Sequence, residues 1–261
     1  VADVPTLELH NINKSFGPVH VLHDVDFEAH AGEVTALVGD NGAGKSTLVK
    51  CISGTYSIDS GEYLFEGKKV HVHSPRDASA LGIEIVYQDL ALCDNLDIVE
   101  NMFLGRERTK GLVLDESSME QAAQETLSSL AVRTVRSVRQ RVASLSGGQR
   151  QTVAIAKAVL WNSKVVVLDE PTAALGVAQT AQVLSLVRRL ADRGLAVVLI
   201  SHNMNDVLEV ADRIAVLHLG QMAAQVARKD TNQQMLVELI TTGRQGVDGP
   251  AAAPSANEVT A

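Results

Sequence analysis

The sequence predicts an α/β domain: a parallel sheet wrapped by helices, preceded by an N-terminal antiparallel β region and interrupted by an inserted helical subdomain. Apolar residues alternate with polar ones through the first thirty positions, as in strands with one buried face. From Val165 onward, short apolar runs alternate with stretches of helical spacing, the pattern of a parallel sheet. Between about residues 90 and 160 the helical spacing stands alone. With 261 residues, 46% of them hydrophobic, and a mean hydropathy of +0.08, the chain can bury a substantial core.

The elements follow in order. Leu7, Leu9 and Ile12, then Val25 and Phe27, mark the antiparallel β region. The run Val34-Thr-Ala-Leu-Val38 is a buried strand that ends in a glycine-rich turn, and Ser46 to Ser53 reads as a helix. Ile58-Asp59-Ser60-Gly61 is a turn between further short strands. Ser74 is an N-cap followed by Pro75 at the first helical position, and Ile83 to Tyr87 is a buried strand. Asp97 to Leu104, Ser117 to Ala131 and Gly148 to Leu160 are helices without strand-like runs between them. Val165 to Leu168, Ala196 to Ile200 and Ile214 to Leu217 are strands, with helices at Val177 to Asp192 and Met204 to Ala211. From Gly243 to residue 261 the Gly, Pro, Ala and Ser-rich composition predicts a disordered tail. No internal repeat is visible.

Composition narrows the function. The net charge of -8 and a pI near 5.5 argue against a duplex nucleic-acid partner. Aromatics at 3% leave few stacking platforms for single strands or sugar rings, so the chain itself is not expected to bind carbohydrate. Its two cysteines, Cys51 and Cys93, have no neighbours at disulfide or metal-ligand spacing and are expected to be packing residues in a reducing compartment. No apolar stretch approaches the roughly 20 residues that a spanning helix needs, and no signal-like segment opens the chain. A cytoplasmic protein that reaches a membrane only through a partner is the expectation.

Gly39-Asp40-Asn41-Gly42-Ala43-Gly44-Lys45-Ser46 matches G-x-x-x-x-G-K-[ST] between a predicted strand and a predicted helix, where a phosphate-cradling loop belongs. There the glycines allow backbone N–H groups to point at phosphate oxygens, Lys45 reaches the β- and γ-phosphates and Ser46 can ligate Mg²⁺. Thr47 is positioned for an α-phosphate contact. The complement is Val165-Val166-Val167-Leu168-Asp169-Glu170, an apolar central strand that delivers two adjacent carboxylates at its C-terminal end. Asp169 would hold the Mg²⁺ shell, directly or through water, and Glu170 would polarise the attacking water.

Leu145-Ser146-Gly147-Gly148-Gln149 precedes that strand and opens a helix whose N-terminal amides and serine hydroxyl suit a phosphate. In this order, the three motifs resemble the nucleotide-binding subunit of ATP-binding cassette (ABC) transporters, over about residues 6 to 242. The resemblance implies a P-loop NTPase (RecA-like) core, an ATPase domain over 1–242 and ATP with Mg²⁺ as ligands. Residue by residue, Phe16 corresponds to the aromatic that stacks on adenine. Gln88 corresponds to a Mg²⁺ and water ligand on a loop that senses the membrane partner, and His202 to the switch histidine at the γ-phosphate. Bland alternatives stand beside each: a core phenylalanine, a polar strand end, a structural histidine. The family also holds each ATP between the phosphate loop of one copy and Ser146, Gly147, Gly148 and Gln149 of the other, which implies a head-to-tail homodimer.

The stretches 39–44, 86–96 and 101–106, with Ile200-Ser201-His202-Asn203-Met204, are similar to bacterial monosaccharide importers of the ribose, xylose and fructose type in single-cassette form. The implied partners are integral-membrane permease subunits and, indirectly, an external sugar-binding protein. One departure stands out: in Pro171-Thr172-Ala173-Ala174-Leu175-Gly176 the family usually ends in Asp. Either backbone groups substitute for that carboxylate or communication between the two sites is altered. The competing class is a soluble ABC ATPase of translation or DNA repair, whose second cassette, basic linker or long coiled coil the sequence does not contain. A P-loop kinase would have no use for residues 145–149.

Overall fold

The computed structural model describes residues 4–130, 132 and 135–244. It begins with β1 (Leu7–Phe16) and β2 (Val19–Ala29), antiparallel partners. Leu7, Leu9, Ile12, Leu22, Val25 and Phe27 are all buried. The alternation breaks between Leu9 and Ile12, where the register shifts and Asn11 takes φ 51°. Asp24, at φ 46°, makes the matching break on β2 between Leu22 and Val25. These are β-bulges, which return the apolar side chains to the buried face after an odd step. Asp26 Oδ1 accepts from Asn11 N at 2.8 Å, and Asp24 Oδ1 from Asn13 Nδ2 at 2.7 Å, so side chains serve the backbone where the ladder is interrupted.

Next come β3 (Val34–Val38), α1 (Lys45–Ile52), β4 (Ser60–Phe65), β5 (Lys68–Lys69), α2 (Pro75–Leu81) and β6 (Ile83–Val86). Ser60 and Gly61 belong to β4 rather than to the turn before it, because Ser60 pairs with Asn13 of β1. The Ser74 cap forms as expected, its hydroxyl accepting from Asp77 N at 3.4 Å. The segment that follows holds α3 (Ile98–Phe103), β7 (Thr109–Lys110), β8 (Val113–Leu114), α4 (Glu116–Ser129) and α5 (Gly147–Val159). The β7–β8 hairpin corrects the expectation of helices alone: strands of two residues are too short to display a period of two. Asp97 and Glu100 close a reciprocal cap at the start of α3.

The chain then forms β9 (Val165–Asp169), α6 (Val177–Asp192), β10 (Ala196–Ile200), α7 (Met204–Val210), β11 (Arg213–His218), β12 (Gln221–Ala227) and α8 (Gln233–Thr242). Gly243 caps α8 in the left-handed conformation, φ 70°. From residue 245 the predicted tail lies outside the described residues.

The main sheet has the order β12-β11-β3-β10-β9-β6, while β2-β1-β4-β5 form a separate antiparallel sheet. In the main sheet β11, β3, β10, β9 and β6 run parallel and β12 pairs antiparallel at the edge. Both of its faces are covered, which is why its strands are apolar throughout. Val166, Leu168, Val197 and Leu199 join the cluster containing α3, α5 and α6 residues. Val165, Val167, Val198 and Ile200 face the side of Leu48, Val49 and Ile52 on α1, together with the antiparallel sheet. Each such side chain contributes about 1.5–3 kcal/mol when fully buried. The parallel strands therefore end at one fixed edge, the place where a doubly covered sheet carries its ligand crevice.

Candidate functional site

The phosphate loop connects β3 to α1 at that edge. Gly39 has φ 153°, and a Cβ there would collide with the Leu217 carbonyl. Gly44, at φ 103°, is the N-cap of α1, and its Cβ would stand 2.9 Å from Leu22 Cδ2. These two positions accept only glycine without displacement. The loop is anchored by Ala43 N donating to Asp40 O at 3.1 Å and by Gly220 N donating to Ala43 O at 2.9 Å. The Lys45 ammonium folds over the loop and donates to Gly39 O at 2.6 Å and Asp40 O at 2.9 Å. Burial lowers the Lys45 pKa, against the opposing pull of Glu170, Asp40 and Asp169.

Across from the loop stands the carboxyl end of β9. The cleft between them is about 420 Å³ and is lined by Asn41, Gly42, Gly44, Lys45, Ser46 and Thr47 on one side, with Gln88, Asp169 and Glu170 on the other. Val21 and Ile200 supply its apolar wall. Sequence motifs separated by well over a hundred residues thus share one cavity. Burial, reinforced by the Glu170 charge, raises the Asp169 pKa, while Lys45 and Lys50 act in the opposite direction. Two carboxylates side by side in a partly buried site are a standing demand for positive charge.

Glu170 occupies the left-handed region at φ 49°, a conformation that costs a non-glycine residue about 1–3 kcal/mol. Its amide donates to Ile200 O at 3.0 Å and its carbonyl accepts from Ala173 N at 3.1 Å. The bend aims the carboxylate at the end of β10, where Glu170 Oε2 lies 2.8 Å from His202 Nδ1. The His202 side chain is 74% exposed, so its contact with the site runs through Glu170.

Other expected residues stand apart from this cavity. Phe16 ends β1 and is 41% exposed, so it is not a core residue. Its ring meets Tyr56 edge-on, centroids 5.0 Å apart at 71°, and Lys14 Nζ sits 5.5 Å from its centroid. Ser146 caps α5: its hydroxyl accepts from Gln149 N at 3.3 Å while Gln149 Oε1 accepts from Ser146 N at 2.9 Å. Gly147 and Gly148 abut Leu175 and Gln179, which ties this turn to the segment after Glu170. None of residues 146–149 lines the cleft.

Sequence reasoning missed Val21 and Ile200, whose apolar character is indistinguishable from that of core residues. It also missed Asp206, a buried carboxylate on α7 that accepts from Thr172 Oγ1 at 2.7 Å and Asn203 Nδ2 at 2.9 Å. An acidic residue in a first helical turn reads as an ordinary dipole contact.

A strand, a glycine-rich loop and a helix facing an acidic strand end define a P-loop nucleoside-triphosphate site. The sequence profile described as "ABC transporter" matches residues 22–173. The chain is 47% identical over 236 residues to the xylose/arabinose import ATP-binding protein XylG of Sulfolobus acidocaldarius, covering 90% of this chain and 94% of that protein. It is 45% identical over 252 residues to the fructose import ATP-binding protein FrcA of Rhizobium meliloti, covering 94% and 97%. The ribose import ATP-binding protein RbsA 2 of Escherichia coli O157:H7 is 41% identical over 236 residues, but this chain spans only 46% of its length. A solved ATP-binding cassette of an ABC transporter in its ADP conformation superposes with TM-score 0.78 at 27% identity, covering 91% of this chain and 95% of that one. A nucleotide-free cassette gives TM-score 0.77 at 28% identity, covering 85% and 91%. The chain belongs to the ABC transporter family.

The donor set at the cleft suits a hard divalent cation. Ser46, Gln88 and Asp169 line the cleft, so a cation here would rest on the Ser46 hydroxyl, the Gln88 amide, the Asp169 carboxylate and phosphate oxygens; among the described residues no group of three His, Cys, Asp or Glu could hold a metal ion. Oxygen donors of this kind, incomplete without the substrate, fit Mg²⁺. No helix of the described residues is long and apolar enough to cross a membrane.

Proposed function

We propose that this chain is the ATP-hydrolysing subunit that powers import of a sugar through a membrane permease. The observation that carries the reading is the convergence of Lys45, Ser46, Gln88, Asp169 and Glu170 on one cleft. Similarity to importers of pentoses and fructose supports the sugar class. In this reading the loop amides and Lys45 hold the β- and γ-phosphates, while Ser46, Gln88 and Asp169 hold Mg²⁺, with Thr47 beside the α-phosphate. Bound Mg²⁺ supplies charge neutralisation on the phosphate oxygens. Glu170 accepts a proton from the attacking water, and His202 steadies Glu170 and reaches towards the γ-phosphate. Phe16 offers its exposed ring to adenine.

Two copies act together. Residues 146–149 do not line the cleft of their own chain, so a second copy arranged head to tail would bring Ser146, Gly147, Gly148 and Gln149 to the nucleotide, with Gly39 to Ser46 on the first. ATP then adds charge-assisted contacts across the interface and favours closure, and hydrolysis removes them. Closure moves helices of the permease, whose cytoplasmic segment docks near Gln88 and the helical subdomain. The chain works on the cytoplasmic face of the membrane, held there by the permease, and meets the external sugar-binding protein only through it.

Reconstitution with the neighbouring permease, followed by a screen of sugar-loaded binding proteins, tests this. One of them should stimulate hydrolysis. Failure of every partner to do so would sink the importer claim.

A further inference from the structure

Glu170 and His202 stand on the loops that follow β9 and β10, and their 2.8 Å contact requires those loops to keep a fixed separation. The backbone of the first loop does not favour that arrangement by itself, since Glu170 and Ala174 both take positive φ, 49° and 59°. Something outside the loop must hold it. Asp206, in the first turn of α7, bonds to both loops. It is 5% exposed, and its carboxylate is divided between them: Oδ2 accepts from Thr172 Oγ1 at 2.7 Å, and Oδ1 from Asn203 Nδ2 at 2.9 Å. Thr172 follows Glu170 in the same loop, and Asn203 is the residue next to His202. Asn203 is itself fixed, its amide donating to Ser201 Oγ at 3.1 Å and its Oδ1 accepting from Asn205 N at 3.0 Å.

We propose that Asp206 is a positioning residue for hydrolysis, a buried clasp that joins the Glu170 loop to the His202 loop and sets the Glu170–His202 distance. The proposal rests on the hydrolytic roles assigned above. Asp206 does not line the cleft; it acts through Thr172 and Asn203. Charge-assisted bonds to a buried carboxylate are short and directional, so one group with two oxygens locks two loops more firmly than a neutral side chain would.

The test is a series of variants in the full chain. Asp206→Ala and Thr172→Val should each lower kcat for ATP by about 10- to 100-fold, the cost of misplacing a reacting group by an ångström or so, while KM and the affinity for a fluorescent ATP analogue stay near wild type. Thr172→Ser, which keeps the hydroxyl, should restore kcat. Asp206→Asn should fall between wild type and Asp206→Ala, because its amide can donate to a rotated Thr172 hydroxyl and its oxygen can still accept from Asn203, but without the charge both bonds are weaker. Long-range ¹H–¹⁵N spectra of labelled histidine should show the His202 Nδ1 signal shifted in Thr172→Val and restored in Thr172→Ser. Should Asp206→Ala fail to fold, the Thr172 pair decides alone. Wild-type kcat in Thr172→Val, or an unshifted His202 signal, overturns the clasp. The underlying reading fails separately: if Glu170→Gln hydrolyses ATP like wild type, the hydrolytic roles are wrong whatever the clasp variants do.

Discussion

Replacing Glu170 by glutamine keeps the length of the side chain and its place opposite His202, and removes the group able to take a proton from water. General-base assistance is worth about 100- to 10,000-fold in rate, or roughly 3–5.5 kcal/mol of transition-state stabilisation. The cost in folding is far smaller. The lost contact is with a histidine that is 74% exposed, so it stands for at most about 1 kcal/mol, and the melting temperature should move by less than roughly 4 °C. A second consequence is electrostatic. Glu170 is the larger of the charges acting on Asp169 and on Lys45. Its neutralisation should let the Asp169 carboxyl titrate lower and push the Lys45 ammonium further down. Phosphate release measures turnover, nucleotide fluorescence measures binding, and size exclusion with ATP should reveal an accumulating ATP-bound dimer. Hydrolysis at the wild-type rate by the glutamine variant would refute the assignment of Glu170.

Asp169→Asn tests the strain at the strand end: a carboxyl whose folded pKa is raised destabilises the fold as pH climbs from its unfolded value through its folded one. The penalty grows as pH rises and is absent in acid, so the variant should melt higher than wild type at pH 7 with the difference vanishing in acid, while Mg²⁺-dependent turnover is lost; equal melting curves at both pH values would contradict it. Gly176→Asp should fold normally, since Gly176 has φ -74° and a Cβ there meets nothing within 4 Å. As an N-cap of α6 the aspartate should add a few tenths of a kcal/mol and change the cooperativity of ATP hydrolysis, and unchanged ATP dependence would show the natural glycine to be harmless. Asn101→Leu removes a fully buried amide that bonds Cys93 N, Cys93 O and Asp97 O. Cys93 N loses its acceptor, while Cys93 O and Asp97 O keep the bonds from Leu96 N and Asn101 N, so the variant should cost about 1–3 kcal/mol, a drop of roughly 2–12 °C in melting temperature by calorimetry.

What the sequence made legible is what a single local pattern can encode. β10 and α6 have the predicted bounds, because an uninterrupted apolar run and a clear helical face leave little choice. The phosphate loop is readable because its glycines, lysine and serine are contiguous. β12 was not foreseen: at the sheet edge, Gln221-Met-Ala-Ala-Gln-Val-Ala227 is only partly buried along most of its length, and small alanines blur the alternation. The Thr172–Asp206 bond links residues 34 positions apart, and nothing near either residue announces the other. The link between Glu170 and His202 depends on β9 and β10 being neighbours in the sheet, which is a property of topology and not of spacing.

The backing of the phosphate loop has a consequence for how this chain is made. Gly39 rests on the Leu217 carbonyl, and the loop carbonyl of Ala43 is bonded by Gly220. β3, which delivers the loop, lies between β10 and β11. As synthesis proceeds from the N-terminus, the nucleotide-binding motif therefore emerges early but has no wall behind it until the β11–β12 hairpin follows. Fragments ending before Gly220 lack the rear support of the site even though they contain every residue of the motif.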